Sequence, residues 1–235
     1  MKNWALGLVV VVGGAAAWGQ AAPEANARYR TKEGRAQVAA GLGAASRDAR
    51  QRPAELVQAL GIQRGMTVVD LGTGIGYMLP YLSRAVGPAG VVIAEDIHDD
   101  FLDQARSKAE SEGLKNVRFV LGTEQDPKLP AGATDLILVL DAYHHFDYPE
   151  RMLAHFRAAL KPNGRLVVVE FYKRRGAMGP GDPDGPLTHI RLDADDMVKE
   201  VEANGLRLVS RRDHVPESQY IAIFRVLGKG SGAVN

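Results

Sequence analysis

A short stretch near position 70 decides the fold: residues 68–77 read VVDLGTGIGY. An apolar β-branched run of this kind is typical of a buried strand, and it passes directly into a turn with glycine at every second position. Alternating glycines let the backbone turn tightly and approach a ligand, because no Cβ stands in the way. The residues that follow, 75–86, carry Met78, Leu79 and Leu82 at helical spacing. A strand that leads through such a turn into a helix predicts an α/β fold with a ligand at the turn.

Strand-like and helix-like segments alternate through the rest of the chain. β-branched runs predict strands at 67–71, 91–95, 117–121, 135–140, 166–172, 206–211 and 219–226. Apolar residues at helical spacing predict helices at 53–60, 75–86, 99–112, 149–160 and 195–204. The alternation predicts a doubly wound, seven-stranded Rossmann-like sheet that is mostly parallel. No helix separates the last two strands, so they must be antiparallel to each other, and we expect an antiparallel last strand.

The composition is that of an ordinary globular domain. The chain has 235 residues, of which 46% are hydrophobic and 24% charged, and its net charge is +1. This balance excludes a disordered tail protein, a collagen-like repeat and a polytopic membrane protein. The near-zero net charge argues against nucleic acid as a partner. The sequence has no cysteine, which excludes disulfides, zinc–thiolate sites and cysteine nucleophiles.

The first residues have the features of a signal peptide. Lys2 precedes an apolar stretch at 4–17, and the small residues Gly19 and Ala21 stand just before Ala22. A buried first helix and an uncleaved anchor are the alternatives. We expect export to the periplasm or the medium, with no stable membrane span after cleavage, or a cytoplasmic protein if the signal is not used. The expected segments are a signal peptide at 1–21, an N-terminal arm at 22–52, the main domain at 53–227 and a flexible tail at 228–235.

Acidic residues stand at the end of the second predicted strand. Glu95 and Asp96 lie about 20 residues beyond the glycine turn, where an acid of a nucleotide-binding sheet accepts both hydroxyls of a ribose. We assign this role to Asp96, with Glu95 as the alternative, and expect Ile97 to lie against an adenine. The turn has the spacing G-x-G-x-G, whereas the dinucleotide fingerprint is G-x-G-x-x-G. Asp70 before the turn suits a ligand with a cationic end better than a pyrophosphate.

Together, these motifs resemble those of class I S-adenosylmethionine-dependent methyltransferases. The resemblance covers residues 53–226, and the run LKPNGRL at 160–166 is similar to the L-K-P-G-G turn of that family, with Asn163 in place of the first glycine. Within the family, the chain looks nearest to the small-molecule enzymes that include quinone-biosynthesis C-methyltransferases. The resemblance implies S-adenosyl-L-methionine as the cofactor and a methyltransferase domain at 53–227.

The resemblance also implies a set of cofactor-binding positions. In the family, the glycine turn holds the methionine end, the second-strand acid holds the ribose, and residues after the third strand reach the adenine. The resemblance implies Asp70, Gly72, Gly74, Gly76, Asp96, Thr123 and Glu124 as cofactor-binding residues, and Asp141 after the fourth strand as a contact of the methionine end or the substrate. Ile97, which we expect at the adenine because it follows Asp96, completes the set.

Candidates for catalysis follow the fourth predicted strand, where residues 140–146 read LDAYHHF. Methyl transfer requires the acceptor and the methyl group to be aligned, and in some cases a base that removes a proton. Tyr143, His144 and His145 are the candidate catalytic residues, because histidine titrates near neutrality and tyrosine can wall the pocket. Adjacent histidines point in different directions, so at most one faces the methyl group, and we favour His144.

The segment 173–190 is long for a loop, and we expect it to cover the site as a lid. His189 lies where this lid returns to the fold, within reach of the substrate cavity. Together with His144 and His145 it makes a possible metal-binding group, but the three lack the spacing of a ligand motif. No metal site is therefore expected from the sequence.

Three functions are compatible with these patterns. The first is S-adenosylmethionine-dependent methyl transfer to a small-molecule acceptor. The second is an NAD-dependent oxidoreductase, against which the glycine spacing and the lack of a Tyr-x-x-x-Lys pair count. The third is a non-catalytic exported binder that retains the nucleoside cleft, since S-adenosylmethionine is made in the cytoplasm. The patterns predict neither the methyl acceptor nor the oligomeric state.

Overall fold

A mixed sheet of seven strands organises the structure. The computed structural model describes residues 22–227, so the expected signal peptide at 1–21 and the expected tail at 228–235 lie outside the described residues. The strands are β1 (Thr67–Leu71), β2 (Val91–Asp96), β3 (Val117–Leu121), β4 (Thr134–Leu140), β5 (Leu160–Phe171), β6 (Leu206–Val215) and β7 (Gln219–Val226). They lie in the order β3-β2-β1-β4-β5-β7-β6.

The pairing of the strands confirms the predicted topology. Strand β1 pairs in parallel with β2 and β4, β2 with β3, and β4 with β5. Strand β7 is antiparallel to both β5 and β6. The turn expected from the LKPNGRL run, at 161–164, falls within the bounds of β5 as an irregularity: Leu160 pairs with Thr134 and Arg165 with Leu136, so the four residues between them have no partners in β4. The order reverses between β1 and β4, which is where open α/β sheets bind ligands.

Helices cover both faces of the sheet. They are α1 (Lys32–Leu42), α2 (Arg47–Gln51), α3 (Pro53–Leu60), α4 (Leu79–Val86), α5 (Asp99–Ser111), α6 (Pro149–Ala159), α7 (Gly185–His189) and α8 (Ala194–Ala203). Helix α3 has the predicted bounds and ends at Gly61 in the left-handed conformation. Helix α4 begins at Leu79 rather than at 75, because the preceding residues belong to the glycine turn. Within residues 22–227, none of the helices is long and apolar enough to span a bilayer.

The core lies on both faces of the sheet. On one face, Val69 of β1 shares a buried apolar cluster with Phe156 of α6. On the other face, Val68 shares a cluster with Leu82 of α4. Neighbouring residues of β1 thus point to opposite faces, and both faces are buried, as expected of a central parallel strand. This rigid layer fixes the positions of the loops at the carboxyl ends of the strands.

The N-terminal arm lies across those loops. Asn26 Nδ2 donates a hydrogen bond to the carbonyl oxygen of His145 at 2.9 Å, and Nε of Arg35 donates to Asp100 at 2.8 Å. These contacts join the arm to the segment after β4 and to α5. The arm at 22–52 is therefore a covering element of the domain.

Candidate active site

A cleft opens at the carboxyl edge of the sheet, between the arm and the loops that follow β1, β2, β3 and β4. Each of these segments contributes to the lining, among others through Arg47, Gly72, Asp96, Thr123 and Asp141. Because the loops belong to neighbouring strands, the sheet brings together residues that are distant in sequence.

The glycine turn forms one wall of the cleft. Gly72 and Gly74 line it and have φ values of +67° and +56°, in the left-handed region that favours glycine. Asp70 lies behind the turn, where the Thr73 hydroxyl donates to its Oδ2 at 2.7 Å. A Cβ at Gly76 would meet Leu79 at 2.9 Å, so this glycine packs inside the domain. Of the four motif residues, Gly72 and Gly74 border the cleft, whereas Asp70 and Gly76 support the turn from behind.

Two carboxylates line the cleft at the end of β2. Asp96 accepts hydrogen bonds from the backbone N–H of Gly74 at 2.9 Å and of His98 at 2.9 Å, one on each oxygen. Oε2 of Glu95 accepts from the backbone N–H of Gly72 at 3.4 Å, and its buried Oε1 has no hydrogen-bond partner within residues 22–227. Each carboxylate oxygen has two lone pairs, so both acids retain capacity for ligand hydroxyls.

Burial controls the protonation of these acids. It raises the pKa of Asp96 to about 6 and that of Asp70 to about 6. Burial, reinforced by the neighbouring Asp96, raises the pKa of Glu95 well above its ordinary value. A cationic ligand or a pair of hydroxyl donors would offset this cost by favouring the ionised forms.

The predicted adenine-binding residues meet on the far side of these acids. Ile97, Thr123 and Glu124 line the cleft. Ile97 is 38% exposed, so its apolar surface is accessible to a ligand. The Thr123 hydroxyl accepts from the backbone N–H of Asp126 at 3.0 Å and holds the loop in a tight turn. An apolar side chain beside a rigid loop provides the surface that a flat base requires.

Asp141 follows β4 in a strained backbone conformation with φ +51°. Its carboxylate lines the cleft and accepts hydrogen bonds from the side-chain amides of Gln219, at 2.6 Å, and of Gln51. Burial raises the pKa of this carboxyl, and the nearby Glu170 raises it further. The hydrogen bonds from the two amides fix the Asp141 carboxylate at the edge of the cleft and help to stabilise the strained backbone of this residue.

The three candidate catalytic residues point in three directions. His145 lines the cleft. Tyr143 is buried against α8, where its hydroxyl donates to Oε1 of Glu200 at 2.7 Å. His144 is also buried and does not belong to the lining of the cleft. The preference for His144 over His145 as the residue facing the methyl group is therefore not supported, because the short 3₁₀ turn Tyr143–His145 directs only the second histidine to the cleft.

His144 makes a buried polar chain instead. Its Nδ1 lies 2.7 Å from Oε2 of Glu170, and its Nε2 lies 3.1 Å from Nε2 of His189. His189 thus reaches the segment after β4, where it contacts His144, but it does not line the cleft. No other residue of the segment 173–190 lines the cleft either, so the expected lid is not seen, and the N-terminal arm covers the cleft instead. Burial lowers the pKa of His144 and His145 well below the usual value, and that of His189 to a smaller extent.

Several lining residues gave no sequence signal. The arm supplies Tyr29 and Arg47, whose guanidinium stacks on the ring of Tyr77 at 3.9 Å. His98, which reads as an ordinary helix-start residue, also lines the cleft and stacks on Tyr29 with ring centroids 5.8 Å apart. The arm is alanine-rich and lacks a strong apolar period, so only the three-dimensional structure shows what it covers.

Comparison with known proteins agrees with this geometry. The family model described as "Methyltransferase domain" matches residues 45–211. The chain belongs to this methyltransferase family. The matched range contains the glycine turn, the β2 acids and the segment after β4, and the family implies S-adenosylmethionine as the cofactor.

Two curated relatives carry the name ubiquinone/menaquinone biosynthesis C-methyltransferase UbiE. The proteins from Citrobacter koseri and Salmonella arizonae are each 36% identical over 114 residues, which is 48% of this chain and 45% of theirs. The chain thus matches about half the length of these curated relatives.

Solved structures of methyltransferases have the same fold. A crystal structure of a SAM dependent methyltransferase from Aquifex aeolicus has a TM-score of 0.74 and 27% identity, covering 81% of this chain and 98% of that one. The mitomycin 7-O-methyltransferase MmcR has a TM-score of 0.66 and 20% identity, covering 85% of this chain and 59% of that one, a likeness of fold alone.

Proposed function

We propose that this protein transfers the methyl group of S-adenosyl-L-methionine to a small-molecule acceptor. The observation that carries the proposal is the cleft itself, in which the glycine turn and the carboxylates of Glu95 and Asp96 form adjoining walls. Asp96 lines this cleft, and each of its carboxylate oxygens keeps a lone pair that a ribose hydroxyl would satisfy.

The lining divides into three parts that fit the three parts of the cofactor. Asp96 and Glu95 would accept the ribose hydroxyls, and Ile97 would lie against the adenine. At the methionine end, the Arg47 guanidinium would pair with the carboxylate and Asp141 with the ammonium group. In this assignment, each charged group of the methionine moiety meets a protein side chain of opposite charge.

The chain's own contribution to the reaction is alignment and exclusion of water. The sulfonium supplies the activated methyl group when the cofactor is bound. The arm covers the cleft and would keep water from it, which strengthens the electrostatic contacts inside. Of the three candidate catalytic residues, His145 is the one that lines the cleft and would contact an acceptor.

Aromatic and apolar side chains favour a small, flat acceptor. Tyr29, Phe101, Phe146 and Met152 line the cleft together with His145. Rings of this kind bind planar ligands by stacking and edge contacts. We therefore propose an aromatic metabolite as the acceptor, in keeping with the quinone-biosynthesis name of the curated relatives.

A labelled-methyl assay tests the proposal. The purified full-length chain is incubated with S-adenosylmethionine labelled in its methyl group and a low-molecular-mass metabolite extract. Label is expected in an organic-soluble product, together with S-adenosylhomocysteine, and both are expected to fall in the Asp96→Ala variant. Absence of labelled product and of S-adenosylhomocysteine above the enzyme-free blank would contradict the proposal.

We further propose that the protein is exported and that its mature chain begins at Ala22. Besides the signal-peptide pattern, the supporting contact is the backbone N of Ala22, which donates to Oδ1 of the buried Asp147 at 2.9 Å. Cleavage before Ala22 would turn this nitrogen into an ammonium group and the contact into an ion pair. N-terminal sequencing of protein from fractionated cells is expected to read from Ala22 in the exported fraction. A cytosolic protein that begins at Met1 would contradict this proposal.

A further inference from the structure

Three imidazoles meet beside the cleft. The potential ligand nitrogens of His144, His145 and His189 all lie within 4.8 Å of one another. Nε2 of His144 is 3.1 Å from Nε2 of His189. Two nitrogens bound to one zinc ion at about 2.0–2.1 Å are about 2.8–3.0 Å apart in octahedral geometry and about 3.3–3.4 Å apart in tetrahedral geometry. The spacing of this pair is therefore that of two ligands that share one ion.

Hydrogen bonds fix the orientation of two of the rings. Nδ1 of His144 lies 2.7 Å from Oε2 of Glu170, and Nδ1 of His145 lies 2.9 Å from Oδ1 of Asn26. An ionised Glu170 and the amide oxygen of Asn26 can only accept, so the tautomers that satisfy both contacts carry the proton on Nδ1. Each Nε2 then keeps its lone pair. Histidines that bind metals are oriented in this way, with the second ring nitrogen donating to a carboxylate or carbonyl oxygen.

We infer that His144, His145 and His189 form a binding site for a divalent transition-metal ion of the Zn²⁺ class, with Glu170 supporting His144. Neutral imidazoles suit Zn²⁺ and its first-row neighbours. Three protein ligands leave a coordination position for water or substrate. Since His145 also lines the cleft, an ion held here lies at its edge, beside the proposed acceptor.

The charges around the cluster suit a cation. Glu170 is only 2% exposed and supplies a carboxylate next to His144. Two arginines act on the cluster, Arg28 of the arm on His189 and Arg191 on His144. Arg191 is held by a bidentate pair with Glu200 at 2.6 and 2.8 Å, which neutralises its charge locally.

The spacing rule missed this site because the ligands come from separate elements. His144 and His145 lie on the 3₁₀ turn after β4, and His189 is the last residue of α7. The same contacts also fit a metal-free alternative, in which Glu170, His144 and His189 form a hydrogen-bonded chain. The experiment must distinguish this chain from a metal site.

Metal titration of the full-length chain tests the inference without any cofactor, so its outcome is independent of the proposed methyl transfer. The chain is stripped with a chelator and titrated with Co²⁺ as an optical probe, followed by Zn²⁺ in competition. We expect one equivalent of Co²⁺ to bind with the visible bands of a four- or five-coordinate ion, and Zn²⁺ to displace it. Absence of saturable binding would overturn the inference and leave the hydrogen-bonded chain.

Variants locate the bound ion. His189→Gln is expected to weaken Zn²⁺ binding at least about tenfold, and Glu170→Gln about tenfold, since loss of an outer-shell partner alone costs about 10–100-fold. The matched control is His155→Gln, which changes a half-exposed histidine of α6 and is expected to bind Zn²⁺ like the wild type. Circular dichroism confirms that each variant is folded. Equal affinity of the wild type and a folded His189→Gln variant would place the ion elsewhere and overturn the inference.

Discussion

The loops after β1 and β2 carry carboxylates and backbone N–H groups, whereas the segments after β4 and β5 bring imidazoles together. In the first region, the site is local: Gly72, Gly74, Glu95 and Asp96 come from two adjacent strand ends joined by hydrogen bonds. In the second region, the cluster is assembled from the 3₁₀ turn, β5, α7 and the arm. A site built on adjacent strand ends follows from motif spacing, whereas a site assembled from distant elements follows only from their packing.

The largest effect is expected at the glycine turn. Gly74→Val is expected to weaken S-adenosylhomocysteine binding about 100-fold, because a β-branched residue at φ +56° strains the turn by ~1–3 kcal/mol and its Cβ would lie 3.1 Å from Leu42 of the arm. Calorimetry measures the change. The matched control is Gly113→Val, at φ +66° with no atom within 4 Å of its Cβ position. If both variants bind like the wild type, the turn is not a wall of the ligand site.

A smaller effect is expected at the second strand. Asp96→Ala is expected to weaken S-adenosylhomocysteine binding by ~1.5–3 kcal/mol, or about tenfold or more, because hydrogen bonds to a charged acceptor are lost. The exposed Asp99, whose side chain is 70% exposed, serves as the control in the form Asp99→Ala. Unchanged affinity of Asp96→Ala would move the ribose to Glu95 or out of the cleft.

The smallest effect concerns stability in the second region. Burial raises the pKa of the Asp141 carboxyl, so the folded state holds a proton that the unfolded chain has lost. This contribution to stability is present at low pH and is lost as the pH rises from about 4, the unfolded pKa, through the raised folded pKa. Asp141→Asn removes it.

Thermal unfolding at pH 5 and pH 8 measures this difference. The wild type is expected to lose stability between pH 5 and pH 8, whereas Asp141→Asn lacks this loss. The difference in Tm between Asp141→Asn and the wild type is therefore expected to rise by about 2–4 °C from pH 5 to pH 8, corresponding to about 1 kcal/mol. Asp103→Asn, on the exposed face of α5, is expected to show no such gain. A constant difference in Tm between Asp141→Asn and the wild type would show that burial does not shift this carboxyl.

Sequence patterns predicted the sheet because a strand of β-branched residues and a glycine turn can each be recognised from a few neighbouring residues. The bounds of β1, β7 and α3 agree with the prediction, and Asp96 and Ile97 lie in the cleft as expected. The patterns did not predict the role of the arm, because its contacts with the cleft depend on tertiary packing. For the same reason, they did not predict that Tyr143 points away from the cleft.

The most direct test is calorimetry of the wild-type chain with S-adenosylhomocysteine and, separately, with NAD⁺. The account predicts saturable binding of one S-adenosylhomocysteine per chain and no heat of binding with NAD⁺. Binding of NAD⁺ without binding of S-adenosylhomocysteine would contradict the assignment of the cleft.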